Sequence, residues 1–141
     1  VDKSVIDSIK ANGIENHVDI ISYVPHSEVL KKQTESHVLL LFVNNTPNAK
    51  GILTGKLFEY MASGRPILAI GPSDGDTASV LQETETGLCI DFHDKEKMKM
   101  ELNRLFLKYR NNELPTVYKE SVEKYSRKSL ASDYVKLLNS L

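Results

Sequence analysis

The side chains of this sequence whose types and spacing could do chemistry gather in "TGKLFEYMASGRPILAI", Thr54 to Ile70. Thr54 is placed to cap a helix, Gly55 lets a backbone come close to a ligand, and Lys56 adds a positive charge beside them. Helical side chains lean toward the helix N-terminus, so Glu59 points back over Gly55 and Lys56, where the first amides have no intrahelical acceptor. A carboxylate and free N–H groups then lie on one short element. Read as a plain surface helix, the stretch would carry a solvated Glu59 paired with Lys56. Such a pair contributes only about 0.2–0.5 kcal/mol, and lysine before glutamate is the poorer order.

The remaining polar side chains read structurally. Asp74 and Asp76 in "SDGD" are turn residues, Asp76 being also a candidate cap for the helix that follows. Asp91, His93 and Asp94 fit a solvated loop, and Arg65 reads as the start of a strand. His17, His26, His37 and His93 have no metal-ligand spacing and read as surface or strand-edge residues. The sequence has no nucleophile elbow, no Walker A lysine loop and no CxxC pair, so neither a metal nor a cofactor is expected. The single cysteine, Cys89, excludes an intramolecular disulfide, suits a reducing compartment and reads as a small buried hydrophobe.

The elements that must position the first group follow from hydrophobic pattern. The 141 residues are 40% hydrophobic and 26% charged, which fits one soluble globular domain. A chain of this length can bury roughly two-thirds of its unfolded surface. A net charge of -1 without a basic segment offers no footprint for nucleic acid. The longest apolar run, Val38 to Val43, falls far short of the roughly 20 residues of a membrane span, so a cytoplasmic protein is expected.

Val5 and Ile9 predict an opening helix that stops at Asn12 and Gly13. "HVDIISYV", His17 to Val24, predicts a strand, and Ser27 caps a helix over Glu28 to Thr34. "HVLLLFV", His37 to Val43, predicts a strand covered on both faces. A polar loop leads from it to a helix over Gly55 to Ser63, stopped by Gly64, and to a buried strand over Ile67 to Ile70. A helix near Thr77 to Glu83 and a strand around Leu88 to Ile90 follow. Met98, Leu102, Leu105, Phe106 and Tyr109 predict one apolar stripe on a long helix, and two more helices are expected near Thr116 to Tyr125 and Ser129 to Asn139.

Four strands alternating with helices predict an α/β domain with a parallel sheet and right-handed crossovers. Residues 1–110 form its α/β core and 111–141 a helical C-terminal tail. Parallel sheets of this kind bind ligands at the carboxyl ends of their strands. That rule selects the loops Asn44 to Thr54 and Gly71 to Asp76, which should line one crevice.

"TGKLFEYMASGRPILA", followed by "ETGLCID" and preceded by "HVDIISYVPHSEVLKKQTESHVLLLFV", resembles the C-terminal nucleotide-binding domain of GT-B fold glycosyltransferases. More narrowly, it is similar to the retaining, family-4-like enzymes of bacterial polysaccharide and glycan assembly. The resemblance implies a partial doubly wound, Rossmann-like sheet. It also implies binding of a nucleoside-diphosphate sugar, UDP- or GDP-linked, for transfer to a glycan or lipid-linked acceptor, in an enzyme that can lie peripherally at the inner face of the membrane. In that family the glutamate matching Glu59 binds the ribose hydroxyls. A helix N-terminus favours a diphosphate, which would fall to the amides near Thr54 and Gly55, with Lys56 adding charge.

Two departures qualify the resemblance. Many members carry a second glutamate, eight positions before the first, against the donor sugar; this sequence has Gly51 there. Asn44, Asn45 or the backbone near Gly51 and Ile52 would have to replace it. The sequence also starts at Val1, in a helix, where the family has an acceptor domain and two earlier strands. A fragment inactive by itself is therefore expected, whose sheet is either rearranged or pairs with a second copy across an exposed edge. The alternatives are a non-catalytic flavodoxin-like or receiver-like binding module and a nucleotide-sugar 2-epimerase.

Overall fold

The computed structural model describes residues 2–117 and 119–140, the side chain of residue 119 excepted. Helix α1, Lys3–Ala11, is capped by the Asp2 carboxylate, which accepts from the Ser4 N–H at 2.8 Å. It ends as expected at Gly13, whose φ of 61° is left-handed. None of its residues is buried.

The strand expected over His17 to Val24 does not form. A single 3-10 turn, Glu15–His17, opens the segment, and the rest is irregular backbone with no ladder partner among the described residues. Its strand-forming side chains are largely in water, with Ile20 and Ile21 about half exposed and Tyr23 96% exposed. Strand propensity reflects a pleated, packed surface, and here no neighbour supplies one. The rearranged four-strand sheet therefore does not occur. Helix α2, His26–Glu35, follows Pro25, and Ser27, expected to cap it, makes no capping bond.

The sheet has three strands among the described residues: β1, Leu39–Phe42; β2, Ile67–Ile70; and β3, Gly87–Ile90. They are parallel and lie in chain order, with Leu41 opposite Ala69 and Ala69 opposite Cys89. Helices α3, Gly55–Ala62, and α4, Asp76–Glu83, make the two crossovers. Leu41, Ile67, Ala69 and Cys89 share one face of the sheet and pack with Leu57 and Met61 of α3 and Val80 and Leu81 of α4. This is the core. Gly87 starts β3 because a Cβ there would stand 2.0 Å from the Ile67 carbonyl oxygen.

Only the central strand is covered on both faces. The expectation for His37 to Val43 fails on one side, since Leu40 and Phe42 alternate outward and Phe42 is 61% exposed. The long helix α5, Lys95–Arg110, is capped by Asp94, which accepts from the Lys97 N–H at 3.0 Å. Of its expected stripe, Met98 and Leu105 are half-buried, but Leu102, Phe106 and Tyr109 remain exposed. Near the sheet's start the Tyr109 ring of this helix meets His37 edge-on, with centroids 4.4 Å apart.

The tail forms α6, Lys119–Glu123, and α7, Arg127–Asn139, the latter capped by Ser126. Glu83 of α4 anchors it, taking an ion pair from Lys124 and a hydrogen bond from the Tyr125 hydroxyl at 2.7 Å. Ser121 adds a bond from its hydroxyl to the Thr84 carbonyl at 2.8 Å. Among the described residues no helix is long and apolar enough to cross a membrane.

Candidate functional site

Because β1 and β2 are parallel and α3 connects them, the N-terminus of α3 lies at the carboxyl end of the sheet. Leu57 and Met61, one turn apart, fasten the helix to the core. Thr54 occupies the N-cap position, but its side chain makes no capping bond. Its Oγ1 is instead buried without a hydrogen-bond partner. Thr54 contributes only its carbonyl, which accepts from the Leu57 N–H at 3.0 Å.

Gly55 and Lys56 donate no hydrogen bond from their backbone among the described residues. Gly55 is exposed, and a Cβ on it would meet nothing within 4 Å. Glu59 is half-buried one turn further along, and the pairing with Lys56 that a plain surface helix would show is not made. Two free amide donors, a buried hydroxyl and a half-buried carboxylate thus share one helix end. Such a set can take an anion on the N–H groups and a hydroxylated group on the carboxylate.

The expected crevice exists. The loops after β1, β2 and β3 line a cleft of about 430 Å³ that includes Asn45, Lys50, Pro72, Asp74, Asp91 and Phe92. Lys50 reaches across it to Asp74, 2.6 Å from Nζ to Oδ2, and this hydrogen bond holds the Asp74 carboxyl below its ordinary range. The two loops touch closely, for a Cβ on Gly75 would stand 2.9 Å from the Lys50 carbonyl oxygen. Thr77 ties them together by donating to the Ile52 carbonyl at 2.8 Å.

The sequence-predicted residues divide accordingly. Thr54, Gly55, Lys56 and Glu59 belong to the α3 terminus, whereas the cleft wall is made by their loop neighbours. Asn44 is exposed, its carbonyl taken by the Thr46 N–H at 3.0 Å. Gly51 and Ile52 have their amides turned into a 3-10 turn, Ala49–Gly51, bonded to Asn48 and Ala49. Their N–H groups are therefore unavailable as a substitute for the missing glutamate, although Gly51 is exposed and a Cβ there would meet nothing.

Asp76, expected as a cap, is the first helical residue of α4, and Gly75 holds the N-cap. Lys50 lies in a loop expected to line the crevice, but its partner was not legible, and Asp91 reads from the sequence as part of a solvated loop. Lys50 finds Asp74 24 positions away, which no local spacing signals, although both follow strand ends. Asp91 spends one oxygen on the His93 N–H at 3.2 Å. All four histidines are exposed, and among the described residues no cluster of His, Cys, Asp or Glu could hold a metal.

Fold and site together define an α/β protein with a small parallel sheet, flanking helices and a helical C-terminal tail. Neither protein-family models, nor curated proteins, nor solved structures yield a match to the chain.

Proposed function

We propose that this chain is the nucleotide-sugar-binding domain of a GT-B fold, retaining glycosyltransferase, with the sheet serving as part of a doubly wound arrangement. One observation carries the reading. The α3 terminus holds two unbonded amides, a buried unpartnered Thr54 hydroxyl and an unpaired Glu59 carboxylate. In this reading the diphosphate lies on the Gly55 and Lys56 amides and is steadied by the Lys56 charge and the helix dipole. The ribose hydroxyls donate to Glu59. The cleft among the loops that follow the strands, walled by Asn45, Lys50 and Asp74, takes the donor sugar.

The chemistry fits this division of labour. When the glycosidic bond breaks, negative charge grows on the departing diphosphate, and preorganised N–H donors stabilise it without reorganisation. The donor half of the transfer is what these residues account for; the acceptor is a glycan or lipid-linked glycan. Amide resonances of the ¹⁵N-labelled chain during titration with UDP and then GDP test the reading. Saturable shifts centred on Gly55, Lys56 and Glu59 are expected with one of the two. Shifts absent with both, or centred away from α3, would leave a non-catalytic α/β binding module as the better description.

A further inference from the structure

A second cavity lies at the opposite end of α3 from the candidate nucleotide site. It has a volume of about 550 Å³, within the range of roughly 300–1,000 Å³ of small-molecule pockets. Phe58, Met61, Val117, Val122 and Tyr125 line it with apolar surface. Its walls are built rather than incidental. The Val117 N–H donates to the Gly64 carbonyl at 3.2 Å, closing the tail over the end of α3. The Phe58 and Tyr125 rings meet at a tilt of 37° with centroids 5.8 Å apart, and Glu83 accepts a hydrogen bond from the Tyr125 hydroxyl.

Among the described residues that line this space, Arg65 is the cation. Arg65 is half-buried, and its Nε donates to the Thr34 carbonyl at 2.7 Å, which fixes the plane of the guanidinium. No carboxylate pairs with it among the described residues, so the two terminal nitrogens keep their donors. Glu123, the carboxylate among the lining residues, is exposed to water and takes a long bond of 3.4 Å from the Ser126 hydroxyl. The charge left facing the cavity is positive. A fixed, planar guanidinium favours an oxyanion with two oxygens over a single point acceptor.

We propose that this cavity is a second ligand site, for an organic anion with an apolar body and a carboxylate or sulfonate head on Arg65. It is independent of nucleotide binding, because the eight residues of α3, about 12 Å of helix, separate Gly55 from the end that lines the cavity. The probe pair that tests it is 8-anilinonaphthalene-1-sulfonate and its neutral relative N-phenyl-1-naphthylamine. The anionic probe should bind one-to-one and shift the amides of Gly64, Arg65, Val117 and Ser126. Saturating UDP should leave its affinity unchanged. Arg65→Gln should weaken the anionic probe roughly tenfold or more, as expected for a lost charge-assisted bond, and leave the neutral one within about twofold. Val122→Trp, which narrows the cavity, should weaken both. Equal binding of the anionic probe to the wild type and Arg65→Gln would overturn the proposal, as would shifts centred on Leu40 and Phe42 or undiminished binding of both probes in Val122→Trp.

Discussion

Glu59→Gln separates a binding role from a folding role. The wild-type carboxylate makes no hydrogen bond and no ion pair among the described residues, and it is half-buried. Its replacement by an amide of the same shape removes nothing the fold uses, so stability should stay within about 0.5 kcal/mol. At this chain length that is a melting shift of no more than about 2 °C. A ribose diol bonded to a carboxylate is a different matter. A hydrogen bond to a charged group contributes about 1.5–3 kcal/mol, and half-exposure places Glu59 toward the lower end. The affinity for the diphosphate nucleotide should therefore fall about tenfold. Isothermal titration of both proteins with UDP and GDP, beside their thermal melts, measures the two quantities together. Unchanged affinity would remove Glu59 from the site, and a melting point lowered by several degrees would show that the carboxylate supports the fold.

Gly55→Ala should melt like the wild type, since its Cβ meets nothing, yet bind the nucleotide more weakly if backbone approaches the phosphates there; titration and melting again separate the two. Gly87→Ala should destabilise by about 3 kcal/mol or more in urea, because its Cβ would lie 2.0 Å from the Ile67 carbonyl and force β2 and β3 apart. Leu57→Ala, at a position 0% exposed, should cost about 2–5 kcal/mol and also weaken nucleotide binding through the loosened seat of α3, as the same urea titration and calorimetry would record. The Cys89 thiol is 4% exposed, and burial pushes it from an ordinary 9.0 up to about 11. A raised folded pKa means that its contribution is fully present below pH 9 and is lost as pH rises toward 11. Stability should therefore fall more steeply over that interval in the wild type than in Cys89→Ala, measured by urea midpoints.

What was legible in the sequence was local. Gly13 and Gly64 stop their helices with positive φ because only a residue without Cβ takes that conformation cheaply, and both stops stand where they were expected. The strand Ile67–Ile70 matches its expected bounds, for a four-residue apolar run between Pro66 and Gly71 has few other uses. The crevice after the strands was legible for a topological reason, since parallel strands must put their connecting loops at shared ends. Caps were read less well. Ser27, Thr54 and Asp76 all have capping chemistry, yet Pro25 and Gly75 hold two of the N-cap places and Thr54 holds the third without its hydroxyl.

What only the tertiary structure decided was pairing. "HVDIISYV" carries strand composition, but a strand is a ladder with a neighbour, and no neighbour reaches it among the described residues. The apolar stripe of α5 has helical spacing, but spacing cannot tell whether a surface lies opposite Leu102 and Phe106, and none covers them. Lys50 meets Asp74, and Arg65 meets Thr34, across 24 and 31 positions of chain. Residue type set which of these side chains could carry charge or hydrogen bonds. Three dimensions set which were spent on each other and which, Glu59 and Arg65 above all, were left with a free end.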